Sequence, residues 1–479
     1  MAITGAGTIT GASVGVLDQA SGAGGITLAT GTGAITGKDT GIALTSLGAI
    51  ALTTNGEVHG LGIFAPPTVT TGGGIAIVGN SSSALDTIQV TTNGQVFAAG
   101  GNGIDVAQTN SGGDITITAK GTIGSEPSNT NFVFNNGIRT TIADGSKANT
   151  TVNFSGNIGS VSDIGVGFGA FAASGTAAGS SNSGDLAINV ANASAFGEIG
   201  GAFAQQNGLG AITITGTGSG KLVGDGFAET GFPIFGAGGQ ISGGGGGTIT
   251  INVSQDAVGR TAGLGAITDG GGNISITQSG GTTGLFNGSA SGAGILAQNT
   301  AMDANFGTIA ITSNGPVSGI TGILTDSGQS LGSTTITVNN TISATALGAS
   351  GGTGVQSTSS SGDITLNIRA GGKIDPVIGS DQTTVSGGLT VNNAGLIQGD
   401  KIGVRQTSTG TGFVGDLTLA QTGTGTVQIT AVGGGAQGVV LADHVKSADW
   451  REPGSEHIAS VPAELLDEVR AKLKPLLGM

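Results

Sequence analysis

Three short strand-like segments recur in a fixed order along this chain, and that repeat constrains the fold more than any other feature. An alternating run at residues 87–90 leads to an Asn-Gly corner at Asn93-Gly94 and then to Gly103-Ile104-Asp105-Val106. The same order returns at residues 49–64, where the third segment is Gly62-Ile63-Phe64, and at residues 309–324. Side chains alternate between the two faces of a strand, so each first segment has one apolar and one polar face. Each unit is therefore predicted to contain three strands.

First strands recur at intervals of roughly 25 to 37 residues, a period typical of solenoids and propellers. They begin at Ile115, Val152, Leu186, Ile212, Ile249, Ile274, Ile309, Ile336, Ile364, Leu389 and Leu417. The runs are short and separated by glycine turns, which favours one coil per unit over the longer hairpin strands of a propeller blade. Connections between parallel strands are nearly always right-handed. We predict an all-β fold, a right-handed parallel β-helix.

Composition supports a folded solenoid in which only 9% of residues are charged. The chain has 479 residues, including 98 Gly and 9 Pro, but its hydrophobic content of 37% lies in short alternating runs that disordered chains lack. The net charge of −14 argues against nucleic acid and against an anionic membrane as partner. The absence of Cys excludes disulfides and thiolate metal sites. No run is long enough for a membrane-spanning helix, so no direct membrane insertion is expected.

Aromatic residues concentrate in the middle of the chain. Ten of the 15 Phe lie between Phe132 and Phe235, including Phe168, Phe171, Phe196 and Phe203. We expect them to form a stacked row inside the coils, where aromatic pairs stabilise beyond their buried area. A patch that binds a partner is the alternative.

Polar side chains also repeat at matching positions. Asn55, Asn93 and Asn314 stand at equivalent corners and could form side-chain ladders. Thr-x-Thr recurs at Thr116/Thr118, Thr213/Thr215, Thr248/Thr250 and Thr335/Thr337. Such a pattern invites comparison with ice binding, but a flat lattice would require coils of constant length. We interpret these threonines as good outward-facing strand residues.

The motifs that could carry chemistry are weak. Gly100-Gly101-Asn102-Gly103-Ile104-Asp105 matches a calcium-binding β-roll nonapeptide once, whereas such sites need tandem copies. The recurrent Gly-Asp before a strand suits a corner better than catalysis, and it occurs at Asp114, Asp185, Asp363 and Asp416. His59, His444 and His457 are dispersed. A polysaccharide-degrading enzyme would need clustered acids and aromatic platforms, and the chain lacks Tyr. We assign no catalytic, cofactor-binding or metal-binding residue and no cofactor.

Two regions are predicted. Residues 1–441 form the β-helix, with residues 1–48 as less regular N-terminal coils that still contain strand-like Ile26-Thr27-Leu28 and Ile42-Ala43-Leu44. Residues 442–479 form a linker and an amphipathic helical tail. The helix begins near Pro462 with acidic residues early and Leu465, Leu466, Val469 and Leu473 on one face. It is predicted to cap the last coil, or alternatively to dock on another protein.

The repeat resembles the passenger regions of bacterial autotransporters and related filamentous-haemagglutinin-type secreted proteins. The residues that carry this resemblance are Gly113-Asp114-Ile115-Thr116-Ile117, Ile336-Thr337-Val338-Asn339-Asn340, and the run from Leu389 to Gly399 that is followed by Ile402-Gly403-Val404. The resemblance covers roughly residues 40 to 440 and is more specific for architecture than for any one protein. It implies a parallel β-helix on, or released from, a Gram-negative cell surface.

The resemblance also implies a role in adhesion, aggregation or matrix formation. Neither a signal peptide nor a C-terminal translocating barrel is visible in the chain, so a passenger fragment is one interpretation. We expect a non-catalytic surface or secreted protein whose partners are cell-surface receptors, glycans or further copies of itself. A polysaccharide lyase or glycoside hydrolase on the same fold is the alternative.

Overall fold

The chain divides into two compact units, residues 1–436 and 437–479. The computed structural model describes residues 2–3, 6–61, 73–125, 135–160, 167–175, 179–226, 233–242, 244, 246–284, 292–301, 307–328, 331–345, 352–397, 402–410, 415–421 and 424–425. The predicted helix from Pro462 and the linker before it lie outside the described residues, as do His444 and His457.

The described chain is a parallel β-helix, as predicted. Its strands pass in strict rotation through three sheets, here called sheet A, sheet B and sheet C, and each strand pairs in parallel with its counterpart in the next coil. Within the described ranges every secondary-structure element is a strand. The right-handed sense of the coil stays a prediction from the general rule for parallel connections.

Sheet A has fifteen strands in continuous order. Every predicted first strand lies in it, although two begin earlier than expected, at Thr150 and Thr334. Its strands are Ala2–Ile3, Ile26–Thr30, Ile50–Thr54, Ile88–Thr92, Ile115–Ala119, Thr150–Phe154, Leu186–Ala191, Ile212–Thr217, Ile249–Val253, Ile274–Gln278, Ile309–Ser313, Thr334–Val338, Ile364–Ile368, Leu389–Asn393 and Leu417–Gln421.

Sheet B holds the short second strands and comes in two segments of five and nine strands. Single bridges through Ile158, to Ile123 on one side and Ala195 on the other, join the segments. The strands are Ile9–Gly11, Ile35–Gly37, Val58–Gly60, Val96–Ala98 and Ile123–Ser125, then Ala195–Gly197, Lys221–Gly224, Asp256–Gly259, Thr282–Gly284, Val317–Gly319, Thr341–Ala344, Lys373–Asp375, Leu396–Ile397 and Thr424–Gly425.

Sheet C has fourteen strands. They are Val14–Ala20, Thr40–Ser46, Ile75–Gly79, Ile104–Gln108, Ile138–Ile142, Phe168–Ser174, Gly200–Gln206, Phe235–Ile241, Ala262–Thr268, Ala293–Asn299, Thr321–Asp326, Thr353–Ser359, Ile378–Thr384 and Ile402–Ser408. The segment Gly62-Ile63-Phe64 lies outside the described residues, and Ile75–Gly79 takes the third position of that coil. The next Gly-Ile pair in the chain, Gly74-Ile75, supplies it.

The N-terminal residues take full part in the coil. Ile26-Thr27-Leu28 and Ile42-Ala43-Leu44 are strands as predicted, and residues 9–46 contribute strands to all three sheets. Their register continues without a slip into the next coil, with Ile26 opposite Ile50 and Ile42 opposite Ile75. These coils therefore share the hydrogen-bonding pattern of the rest.

The core is a column of inward-facing aliphatic side chains that runs through the coils. Ile50, Ile88 and Ile115 stack on one another in sheet A and are all buried. Parallel pairing without a slip keeps every inward side chain on the same side from one coil to the next. One continuous apolar cluster extends from Val16 to Val404.

A glycine precedes the first inward core residue of every sheet-C strand. A Cβ on Gly103 would lie 2.3 Å from Ile123 Cγ2 and 2.6 Å from the Gly137 carbonyl oxygen, and a Cβ on Gly74 would lie 2.3 Å from Val96 Cγ1. Sheet C therefore approaches the inward side chains of sheet B too closely for any other residue. The column comprises Gly15, Gly41, Gly74, Gly103, Gly137, Gly169, Gly201, Gly236, Gly263, Gly294, Gly322, Gly354, Gly379 and Gly403.

The expectation that the Phe row lies inside the coils is wrong for its central members. Ala202 and Ala204 take the inward positions of Gly200–Gln206, so Phe203 between them faces outward from sheet C, and Phe171 occupies the equivalent position in the preceding coil. The coil interior at this level is filled by alanines. Phe154, at the end of a sheet-A strand, does belong to the interior cluster.

Candidate functional site

Acidic and histidine side chains are scattered over the described part of the chain. No three His, Asp or Glu side chains approach one another closely enough there to hold a metal ion. Two surface cavities have volumes of about 220 and 130 Å³. The larger is lined by Asp114 and Lys147 as its charged residues, and the smaller by Arg369. Neither brings together three charged groups.

The recurrent Gly-Asp residues cap backbone groups of the next coil. Asp114 Oδ1 accepts a hydrogen bond from the Asn149 N–H at 2.8 Å, Asp185 Oδ1 from the Ala211 N–H at 2.8 Å, and Asp363 Oδ1 from the Gly388 N–H at 2.7 Å. Each carboxylate thus satisfies a backbone donor at the corner that enters sheet A. The corner interpretation holds for these three aspartates.

The single nonapeptide match does not present a free carboxylate. Asp105 lies on the outer face of sheet C, where Asn102 Nδ2 donates to Asp105 Oδ2 at 2.8 Å. Arg139 of the next coil places Nη1 3.3 Å from the same oxygen. The carboxylate that the nonapeptide would offer to a calcium ion is thus paired with a guanidinium.

His59 belongs to an outward-facing stack on sheet B. Its ring lies 4.8 Å from that of Phe97 in the next coil, and Nε2 is 3.3 Å from Glu57 Oε2. These contacts explain the residue as part of a surface column between coils.

Asn ladders form at the corners, as predicted, in short pairs. Asn93 Nδ2 donates to Asn55 Oδ1 at 2.8 Å, and Asn339 Nδ2 donates to Asn314 Oδ1 at 2.7 Å. Equivalent bonds join Asn189 to Asn153 and Asn392 to Asn367 at 2.9 Å on sheet A.

The outer side of sheet C presents side chains of several chemical classes. Its central outward column is Leu17, Ala43, Ala76, Asp105, Arg139, Phe171, Phe203, Gly238, Gly265, Leu296, Leu324, Gln356, Asp381 and Arg405. Charged, aromatic, glycine and aliphatic residues therefore succeed one another along one face.

A second apolar cluster forms around the middle of that column. Phe168 stacks on Phe171 at 4.6 Å and on Phe203 at 5.2 Å, while Phe203 lies 6.1 Å from Phe235. Phe203 and Phe235 are fully buried although Phe203 faces away from the coil interior. Gly238 and Gly265 make room for the Phe235 ring, since a Cβ on either would lie within 2.2 Å of a ring carbon. The cluster also contains Ile199, Ala262, Ala293 and Leu296.

Ion pairs lie at two places along the column. Arg139 pairs with Asp105, and Arg405 donates from Nε to Asp381 Oδ1 at 3.0 Å and from Nη2 to the other carboxylate oxygen. The hydrogen bond to Asp381, opposed by partial burial, raises the pKa of Arg405. Stability that depends on a raised pKa is lost only as the pH rises through that pKa, so Arg405 stays charged over the whole physiological range.

The coils differ in length mainly in the connections that precede and follow each sheet-C strand. Gly37 is followed by a sheet-C strand at Thr40, whereas Gly60 is followed by one only at Ile75. From Ile26–Thr30 onward, in contrast, two to four residues separate each sheet-A strand from the sheet-B position that follows. In repeat proteins, insertions of this kind map to one side, which is often the binding side. The outer side of sheet C is therefore the candidate functional site.

Sequence reasoning missed this surface because it treated the phenylalanines as core. The available signal was the alternation in residues 202–204, where the small residues Ala202 and Ala204 share one face of the strand and Phe203 lies on the other. Among the described residues no helix has the length and apolarity needed to cross a bilayer. Comparison with known proteins gave no matching family model, no matching curated protein and no matching solved structure.

Proposed function

We propose that this chain is a non-catalytic structural or adhesive β-helix protein, displayed on a Gram-negative cell surface or released from it. The observation that carries the proposal is the outer side of sheet C, where varied side chains are presented coil after coil beside insertions of different length. A series of weak contacts presented on one rigid support gains strength from multivalency. The resemblance to autotransporter passengers supplies the cellular setting.

The support for an adhesive role is the distribution of side chains along the coil. Receptor or glycan contacts would come from outward residues such as Arg139, Gln205 and Gln356, which lie on three different strands of sheet C. A degrading enzyme would need an acid and a second carboxylate a few ångströms apart. In the described cavities Asp114 is the one acidic residue.

A binding panel run beside a degradation assay tests the proposal. The purified chain is screened for adhesion to cells and immobilised glycans, and the same glycans are assayed for new reducing or unsaturated ends. We expect adhesion without cleavage, and expect Arg139→Ala combined with Gln205→Ala to weaken it. Thr215→Ala on sheet A is the matched control and should leave adhesion unchanged. Cleavage of any glycan, or adhesion that responds only to the control, contradicts the proposal.

A further inference from the structure

The outer face of sheet A carries no charged side chain in any strand from Ile26–Thr30 to Leu417–Gln421. Its outward positions are Thr27, Ala29, Ala51, Thr53, Gln89, Thr91, Thr116, Thr118, Thr151, Asn153, Ala187, Asn189, Thr213, Thr215, Thr250, Asn252, Ser275, Thr277, Ala310, Thr312, Thr335, Thr337, Thr365, Asn367, Thr390, Asn392, Thr418 and Ala420. Threonine is the commonest residue among them. Solvent-facing strands ordinarily carry charge, so this composition is unusual for a surface.

The array is regular despite the variable length of the coils. Adjacent sheet-A strands pair residue for residue, for example Ile249 with Ile274 and Val253 with Gln278, and the register does not slip. All large insertions lie in the connections before or after sheet-C strands, and they do not shift the register between neighbouring sheet-A strands. The objection that a flat lattice requires coils of constant length therefore does not apply. One parallel sheet needs only constant register.

Two spacings define the lattice. Outward residues two positions apart on a strand are about 6.4–6.8 Å apart, and equivalent residues on adjacent strands are about 4.7–4.9 Å apart. Threonine places a hydroxyl and a methyl group at each point and is stiff at χ1. The Asn189–Asn153 and Asn392–Asn367 hydrogen bonds hold the amides along the same columns. Sixteen of the 28 outward positions are Thr, so the face presents hydroxyl and methyl groups in a two-dimensional repeat that Ala, Asn, Gln and Ser interrupt.

The chemistry of the face selects among ligands. Protein interfaces depend on Trp, Tyr and Arg, and sugar-binding faces on aromatic platforms, but these columns contain none of those residues. Anionic membranes and nucleic acids require positive charge, which is also missing. What remains is an uncharged ligand that repeats in two dimensions and both donates and accepts hydrogen bonds. We propose that the outer face of sheet A binds ice. The inference is independent of the adhesive role on sheet C.

Ice adsorption tests this proposal directly. The purified chain is mixed with an unrelated acidic protein, and a slowly growing ice surface is analysed for enrichment, with recrystallisation followed in parallel. We expect enrichment of this chain in the ice. Thr213→Lys and Thr335→Lys, in the middle of the array, should each reduce adsorption about tenfold or more, because a protruding charge breaks multivalent contact. Thr141→Lys, on an outward position of sheet C, is the matched control and should adsorb like the wild type.

Three outcomes would overturn the proposal. The first is exclusion of the wild-type chain from ice to the same extent as the unrelated protein. The second is an equal loss of adsorption in Thr141→Lys. The third is retention on crystalline cellulose or chitin without adsorption to ice, which would assign the face to a polysaccharide. Circular dichroism confirms that each variant is folded, so loss of adsorption cannot be mistaken for loss of structure.

Discussion

Sheet A and sheet C run through the same coils but obey different constraints. The inward side chains of sheet A are still aliphatic in its C-terminal strands, as at Leu366 and Val391, and its outer face is uncharged along its whole length. Sheet C has a glycine at the entry to every strand, an outer face that changes from coil to coil, and a C-terminal interior that contains Ser380 and Gln382. Insertions lie before and after the strands of sheet C, whereas the register of sheet A continues without a slip. A β-helix can therefore vary the outward side chains and the flanking loops of one sheet while another sheet keeps the same composition and register.

The largest effect is expected where sheet C has its second apolar cluster. Phe203→Ala should lower the free energy of unfolding by about 3–5 kcal/mol, because a fully buried ring is replaced by a cavity. Leu17→Ala, in the same outward column but 60% exposed, should change it by less than about 0.5 kcal/mol. Denaturant titration of both variants measures the contrast. Equal midpoints would mean that the outer cluster contributes no packing energy.

The glycine column is the next test of what distinguishes sheet C. Gly103→Ala should destabilise by about 3 kcal/mol, because its Cβ would overlap Ile123 and the Gly137 carbonyl and force both to move. Gly22→Ala is the matched control, since nothing lies within 4 Å of the position of its Cβ. Thermal unfolding compares the two. A stable Gly103→Ala protein would show that the approach of sheet C to sheet B can relax.

The polar C-terminal interior of sheet C should respond to a double-substitution cycle. Gln406 Nε2 donates to Gln382 Oε1 at 3.0 Å, while Gln382 Nε2 and Gln406 Oε1 are buried without a hydrogen-bond partner among the described residues. Gln382→Leu alone should cost about 1–2 kcal/mol because it removes one partner of a buried pair.

Replacement of both glutamines by leucine should restore or exceed the wild-type stability, because the pair and its two unpaired amide atoms are removed together. Hydrogen exchange of residues 378–384 and 402–408 reports the local effect. If the stability losses of the two single variants simply add in the double variant, the two glutamines do not act as a pair.

The smallest effect is expected at the corner ladders beside sheet A. Asn93→Ala removes the hydrogen bond to Asn55 and should cost about 0.5–1 kcal/mol. Asn252→Ala, at an exposed position of sheet A with Thr215 and Thr277 opposite it, is the matched control. Chemical denaturation measures both changes. A loss at Asn93 no greater than at Asn252 would show that the ladder adds nothing to coil stacking.

Much of the fold was predictable from residue periodicity. Alternation of Ile with Thr located the sheet-A strands, and Asn-Gly corners located the sheet-B strands at Val58, Val96 and Val317. These signals are local, because strand alternation and turn chemistry depend on neighbours in sequence. The third strand was harder to locate where an insertion precedes it, as at Ile75, because a second Gly-Ile pair competes with the first.

The amino-acid sequence therefore settled the three-strand unit, its parallel stacking and the identity of the inward residues of sheet A, since each follows from periodicity. Tertiary structure decided which side of sheet C the phenylalanines occupy, that Arg139 takes the Asp105 carboxylate, and that insertions leave the sheet-A register intact. Those outcomes depend on residues about one coil apart that meet only when the strands align. Register between distant segments is a property of the assembled coil, and no local pattern encodes it.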